Sequence, residues 1–358
     1  MARVLITGAG GFLGAALARQ ALARGLEVRG VARGHYPALA ALGVEMSRLD
    51  LGARGAQEAG GRAGGGAGDS AESGAEGGAE VDALAALMEG CGAVFHVAAK
   101  AGAWGRWDEY HRANVVGTAR VVAAARAAGV PRLVFTSSPS VVHGGGDLEG
   151  VREEDVTYPP RFSAHYPHTK ALAERLALAA NDAALAVVSL RPHLIWGPGD
   201  PHLAPRLVAR ADAGRLRLLA PHKRVDAVYV EDAARAHLCA YDRLAPGAPC
   251  AGRAYFISQG EPWEMGRLVN ALLAAHGRAP VHATLSPRVA YAVGALLEWA
   301  YAAVGARAEP LMTRFVAEQL STAHWYDVSA AARDLGFVPS RTMSERLAEL
   351  AARVAGGA

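Results

Sequence analysis

Cysteine is scarce in this 358-residue chain, with only Cys91, Cys239 and Cys250, all far apart. They form no CxxC pair and no cluster with histidine, which excludes a disulfide framework and a zinc site; no metal is expected, and an odd, sparse count suits a reducing cytoplasm. Lysine is scarcer still for its class: Lys100, Lys170 and Lys223 are three of 37 basic residues, the other 34 being arginine. A lysine in such a chain marks a position where arginine would not serve. There is no Lys/Arg-rich run and the net charge is +3, so no nucleic-acid partner is expected. A signal peptide is not expected either, because the strand pattern Arg3-Val4-Leu5-Ile6 begins almost at once. Only Val289–Ala306, with the single charge Glu298, approaches the length of a membrane span, and its small residues and mid-run acid argue against spanning. It reads as core or dimer packing, as the wall of an alkyl-chain pocket, or as an interfacial helix at a membrane surface.

What the chain does have is alternation of strands and helices. Val4–Ile6, Glu27–Ala32, Val44–Leu49, Ala93–Ala98, Arg132–Thr136 and Ala186–Leu190 read as strands. Between them lie helical segments at Ala15–Arg24, Val81–Glu89, Asn114–Ala128 and Pro167–Ala180. This spacing predicts an α/β, Rossmann-type, doubly wound parallel sheet over residues 1–194. Residues 195–358 are expected to form a smaller, mostly helical, discontinuous substrate-binding region, with helices near Pro205–Ala213, Glu264–His276 and Val289–Gly305. Strands near 226–230 and 254–257 are expected to rejoin the main sheet. Residues 52–80 are Gly, Ala, Ser and Glu with little else, and are expected to be a disordered surface insertion.

The turn Thr7-Gly8-Ala9-Gly10-Gly11-Phe12-Leu13-Gly14 lies between a strand and a helix. Gly8, Gly11 and Gly14 permit a tight turn, close approach of a pyrophosphate and close helix–strand packing, while the N–H groups at Phe12 and Leu13 open the helix toward an anion. No carboxylate stands at the end of the second strand, where one would bind an unphosphorylated ribose. Arg33 stands there instead and can pair with a 2′-phosphate, so NADP(H) is favoured over NAD(H); a solvated loop cation is the alternative. Asp50 can bond an adenine amino group or simply form a turn.

Tyr166 and Lys170 are four apart, on one face of a helix that Pro167 can open. A ketone that accepts hydride needs a proton; a phenol can give it if a neighbouring ammonium lowers its ordinary pKa of about 10. Ser138 follows the fifth strand, where a hydroxyl can hold a substrate carbonyl; turn formation is the alternative. Asn114 either organises a water relay or caps a helix.

These residues resemble the extended short-chain dehydrogenase/reductase family. The matching stretches are Thr7-Gly8-x-x-Gly11-Phe12-x-Gly14, His96-Val97-Ala98-Ala99, Asn114-Val115-Val116-Gly117-Thr118, Thr136-Ser137-Ser138, Tyr166-x-x-x-Lys170, Arg191-Pro192-His193-Leu194-Ile195-Trp196-Gly197-Pro198-Gly199, Tyr229-Val230-Glu231-Asp232-Ala233 and Leu335-Gly336-Phe337-x-Pro339. The resemblance implies Tyr166 as acid/base, Lys170 and Ser138 as its partners, Ala98 beside the cofactor, and Pro192-His193-Leu194 near the nicotinamide carboxamide. Within the family the chain is similar to the 3β-hydroxysteroid dehydrogenase branch, through Ala98–Gly105, Ser137–Val142 and Pro192–His202. That likeness implies NADPH-driven reduction of a long-chain 2-alkyl-3-keto acid to the 3-hydroxy acid, in bacterial long-chain olefin biosynthesis. It also implies a homodimer that associates with other enzymes of that pathway or with a membrane surface. Lys100, Arg106 and His193 are candidates to receive the substrate carboxylate. A 3β-hydroxysteroid or sterol-carboxylate dehydrogenase and a non-catalytic NADP-binding sensor are the alternatives.

Overall fold

A computed structural model describes residues 2–53 and 78–356. The chain opens with β1 (Arg3–Thr7), α1 (Phe12–Ala23), β2 (Glu27–Ala32), α2 (Pro37–Ala41) and β3 (Glu45–Arg48). From Gly78 it continues through α3 (Gly78–Met88), β4 (Cys91–His96), α4 (Trp107–Tyr110), a π-helical segment at His111–Val116, α5 (Gly117–Ala127) and β5 (Arg132–Thr136). Next come β6 (Leu148–Val151), α6 (His165–Ala179), β7 (Ala186–Pro192), β8 (Ile195–Trp196), α7 (Leu203–Asp212), β9 (Arg224–Val225), β10 (Val228–Tyr229) and α8 (Val230–Arg243). The remainder is β11 (Ala254–Ile257), β12 (Trp263–Glu264), α9 (Met265–Ala275), α10 (Pro287–Ala303), α11 (Arg314–Gln319), β13 (His324–Tyr326) and α12 (Met343–Ala355).

Seven strands form one sheet in the order β11-β7-β5-β4-β1-β2-β3, and every pairing in it is parallel. Such a sheet must be covered on both faces, which is why its strands read as unbroken apolar runs. Side chains alternate between the faces. Val4, Ile6, Val134 and Val188 pack with Leu17 of α1 and Leu238 of α8. Leu5, Val94, Leu133 and Val187 pack on the other face with Leu84 of α3, Val121 of α5 and Ala177 of α6. The strand order reverses at β1, between β2 and β4, and a ligand crevice opens beyond the carboxyl ends of the strands at such a point.

Two smaller sheets lie outside this one, a β12-β9-β13-β6 sheet and a β10-β8 pair. The expectation for the two later strands divides here. Ala254–Ile257 pairs with β7 on the main sheet. Val228–Tyr229 does not rejoin it, and pairs instead with Ile195–Trp196. The cause is local: Leu194 takes φ +47°, so the chain turns out of the sheet right after β7, and β11 occupies the edge that β10 would have needed. The disordered insertion expected at 52–80 falls largely on residues 54–77, outside the described residues; its last three positions, Gly78 to Glu80, are already the first turn of α3.

Candidate functional site

The turn after β1 is built by what glycine omits. Gly8 takes φ +69°, and a Cβ there would sit 2.8 Å from the Ala98 backbone. A Cβ on Gly14 would fall 2.1 Å from the Gly8 carbonyl oxygen, so α1 can close on the turn only without a side chain. Gly8 N–H donates to the Val31 carbonyl (2.7 Å) and Gly11 N–H to that of Gly8 (2.9 Å), which locks the loop to β2. Helix α1 has no side-chain cap at Gly11 and no acid in its first turn. Its leading N–H groups and positive dipole end therefore face the crevice unopposed, the donor set a pyrophosphate needs.

The crevice encloses about 520 Å³ and brings together most of the expected residues: Gly8, Gly11, Phe12, Leu13, Gly14, Arg33, Asp50, Ala98, Ser138, Tyr166, Lys170, Pro192 and Leu194. Asp50 also forms a turn, its Oδ1 accepting from Gly52 N–H at 3.0 Å. Ala98 N–H donates to Thr7 Oγ1 at 3.2 Å. Thr7 in turn bonds the buried His96 ring at 2.7 Å, and the other ring nitrogen meets Thr118 at 2.9 Å. Burial, reinforced by Lys170, pushes the His96 imidazole down to about 3, so it is a neutral strut.

Helix α6 delivers Tyr166 and Lys170 to the same crevice. Burial raises the Tyr166 phenol above its ordinary value, and a hydrogen bond with Ser138 opposes that rise. Ser138 is held by Ser140, whose N–H donates to its Oγ at 3.3 Å while the two hydroxyls lie 2.9 Å apart. Lys170 lines the same crevice as Tyr166 but makes no direct hydrogen bond to the phenol. Lys170 Nζ donates to the Thr136 carbonyl at 2.5 Å and lies 4.3 Å above the Phe135 ring. Burial pushes its amine down to about 7, Glu174 opposing. Glu174, one turn beyond, is itself committed: it pairs with Arg191 at 2.7 Å and accepts from Ser189 and Tyr158, each at 2.8 Å.

Other expected residues lie elsewhere. Asn114 is buried in the π-helical segment, not at a helix cap. Its side chain bonds both the N–H (2.7 Å) and the carbonyl (3.1 Å) of Lys100 and donates to Thr169 (3.0 Å), so it clips the loop after β4 to α6. His193 is turned out of the crevice. Its N–H donates to Ile257 (3.0 Å), and its ring packs edge-on against His324 (4.8 Å) and Tyr326 (5.3 Å). There burial, then His324, holds it well below the usual imidazole range. As carboxylate receivers the candidates are also engaged: Lys100 pairs with Glu109 and Arg106 with Asp108 at 3.2 Å.

Three contributors escaped the sequence reading. Tyr36 lines the crevice with its ring against Gly10, where a Cβ would fall 2.2 Å from it. Thr136 acts through its backbone, which no side-chain motif reveals. Asp200 lines the far end and accepts from His202 and Ala204 N–H, each at 2.8 Å; an Asp just before an apolar helical run was the available signal.

A glycine-cradled crevice at the sheet's switch point, with a serine and a Tyr-x-x-x-Lys helix on its wall, defines a nicotinamide-dependent oxidoreductase. The chain belongs to the 3-beta hydroxysteroid dehydrogenase/isomerase family, whose family model matches residues 79–287. It is 47% identical to a 2-alkyl-3-oxoalkanoate reductase of Stenotrophomonas maltophilia, over 98% of each chain. It is 31% identical to a 3-beta-hydroxysteroid dehydrogenase of Mycolicibacterium neoaurum, over 98% of this chain and 90% of that one. Among solved structures it is similar to MoeE5 in complex with UDP-glucose and NAD, with a TM-score of 0.68, 27% identity and 99% of each chain covered.

Proposed function

We propose that the protein reduces a long-chain 2-alkyl-3-keto acid to the 3-hydroxy acid, with NADPH as reductant and Tyr166 as proton donor. One observation carries the reading: Ser138, Tyr166 and Lys170 line the same crevice as the glycine cradle. The name of the Stenotrophomonas relative, matched along both chains, supplies the substrate class.

A bound nicotinamide supplies the hydride. The chain's own residues handle the oxygen and the proton. The Ser138 hydroxyl and the Tyr166 phenol receive the C3 carbonyl oxygen and hold it against the crevice wall. As charge grows on that oxygen, Tyr166 Oη gives up its proton and is left as phenolate. Lys170, pushed down to about 7 by burial, holds or releases a proton at neutral pH and is suited to restoring the phenol. Arg33 at the crevice edge, with no acid beside it on the strand end, favours the 2′-phosphorylated cofactor.

The same proposal extends to a homodimer acting in long-chain olefin biosynthesis in the cytoplasm, at a membrane surface. No helix among the described residues is long and apolar enough to cross a membrane. Yet α10 exposes Leu296 (62%) and Trp299 (70%), with Val304 (79%) just beyond it. Its end is tied to the loop after β4 by Trp104 Nε1–H donating to the Ala306 carbonyl at 3.2 Å. That places an apolar face beside the loop that walls the crevice, as a lipid-like substrate would require.

The family model favours a second reading, 3β-hydroxysteroid oxidation. Offering a 2-alkyl-3-keto acid and a 3-ketosteroid side by side, with NADPH consumption and product mass measured, separates the two. The proposal expects the 3-hydroxy acid as the main product; a steroid preference overturns it.

A further inference from the structure

We propose that three buried histidines, His143, His193 and His324, form a latch that holds one wall of the cofactor crevice, and that proton uptake by the latch releases the cofactor. The latch requires a nicotinamide dinucleotide in the crevice and is independent of the substrate. The three residues come from separate elements. His143 follows the short turn after β5, His193 follows β7 and His324 opens β13, in the outer β12-β9-β13-β6 sheet. His143 and His193 are 8% exposed and His324 3%. His324 is the middle member: its ring stands edge-on to His193 at 4.8 Å and to His143 at 6.0 Å. The grip reaches the crevice through the backbone. Pro192 and Leu194 line the crevice, and His193 between them holds the outer sheet. Leu194 takes φ +47°, a conformation that persists only while its surroundings impose it.

His324 Nε2–H donates to the Gln319 carbonyl at 2.7 Å, so in the neutral ring Nδ1 carries no proton. That Nδ1 and the Nδ1 of His193 have no hydrogen-bond partner among the described residues. On His143, Nδ1 accepts from Gly145 N–H at 3.3 Å and from Gln319 Nε2–H at 3.1 Å, so a proton there breaks both bonds. A charge on any of the rings would sit in a dry place beside the other imidazoles. The surrounding charges do not offset it. Asp147 is paired with Lys223 and Arg191 with Glu174, while Glu261 accepts from Met343 N–H at 3.3 Å. Asp226, whose N–H donates to the His324 carbonyl at 3.1 Å, gives Oδ2 to Tyr326 N–H at 3.0 Å. Burial pushes Asp226 up to about 6, so it loses its own charge as acid is added. Burial likewise raises the Tyr326 phenol, which stays neutral. Burial, then His324, pushes His143 down to about 4 and holds His193 well below the imidazole range; burial lowers His324 as well. Rings released to water return to about 6.5. The neutral latch is therefore at full strength above that value and weakens as pH falls below it.

The test is equilibrium binding of NADP+ and NAD+ to the full chain, by titration calorimetry, at about pH 7.5 and about pH 5, on either side of the ordinary imidazole value. His324→Phe keeps an aromatic ring against both neighbours and cannot take up a proton. Between the two pH values, wild-type affinity for both dinucleotides is expected to fall by about tenfold more than that of the variant. His143→Phe is the second variant, should behave the same way, and decides the matter if His324→Phe does not fold. NAD+, which lacks the 2′-phosphate, should release protons on binding to wild type at the lower pH, because the bound state favours the neutral latch; calorimetry in buffers of different ionisation heat reads this. Circular dichroism of wild type should be the same at both pH values. Affinity lost in parallel by wild type and variants, no proton release, or unfolding at the lower pH overturns the latch. A wild-type protein that binds neither dinucleotide at about pH 7.5 overturns the cofactor site itself, and the latch with it.

Discussion

Lys170 Nζ donates to the backbone carbonyl of Thr136 at 2.5 Å, joining the helix that carries the phenol to the strand end that carries Ser138. The bond explains how a lone amine is tolerated in a dry place, and it ties two catalytic elements through the backbone. The amine sits at about 7 folded against 10.5 ordinarily, so between those values the folded protein binds fewer protons than the unfolded chain. Stability therefore rises with pH across that window.

Lys170→Met removes this burden. Relative to wild type, its thermal stability should improve as pH falls from about 10 to about 7, by on the order of a few kcal/mol, and level off below that. Turnover should be lost throughout. Melting curves of both proteins across this range check the slope, whatever constant offset the missing hydrogen bond adds; a difference independent of pH contradicts it.

The buried Glu174–Arg191 pair has a structural consequence. Arg191→Leu leaves a carboxylate with 0% side-chain exposure without its cation, and should cost about 3–5 kcal/mol. Adding Glu174→Gln should recover part of that loss. Urea unfolding of the single and double variants gives the answer.

The phosphate turn makes a sharper demand. Gly14→Ala places a methyl 2.1 Å from the Gly8 carbonyl, so turn and helix must part. NADPH affinity should fall by more than about tenfold, and the melting temperature should fall as well, since the clash is with buried backbone. Unchanged affinity by fluorescence titration would show that the turn does not hold the cofactor.

The glycine turn and Tyr166/Lys170 were legible because each is a short-range pattern: spacing along a few residues fixes one face of a turn or helix. The main sheet was legible because strands covered on both sides must be apolar, and Val4, Leu5 and Ile6 are all at 0% exposure. Position alone did not give direction. His193 sits in the expected segment but faces His324, because the left-handed Leu194 turns the chain away. Lys100 reaches the crevice with its charge already met by Glu109. The β12-β9-β13-β6 sheet joins residues 148 to 326 through strands of two to four residues, too short to show a period.

The exposed face of α10 calls for a vesicle measurement. Leu296→Glu with Trp299→Glu should abolish sedimentation with phospholipid vesicles while leaving turnover of a short, soluble keto acid within about twofold, since burying two such side chains supplies most of an interfacial attachment. Wild-type protein that does not sediment contradicts the membrane assignment and leaves the chemistry standing.

The proton donor is the centre of the account. Single turnover of a 2-alkyl-3-keto acid with NADPH, comparing wild type with Tyr166→Phe at matched cofactor occupancy, tests it most directly. The expected result is 3-hydroxy acid from wild type and a rate lower by about 10²–10⁴-fold in the variant, with NADPH still bound. A variant that forms the hydroxy acid at the wild-type rate would contradict it.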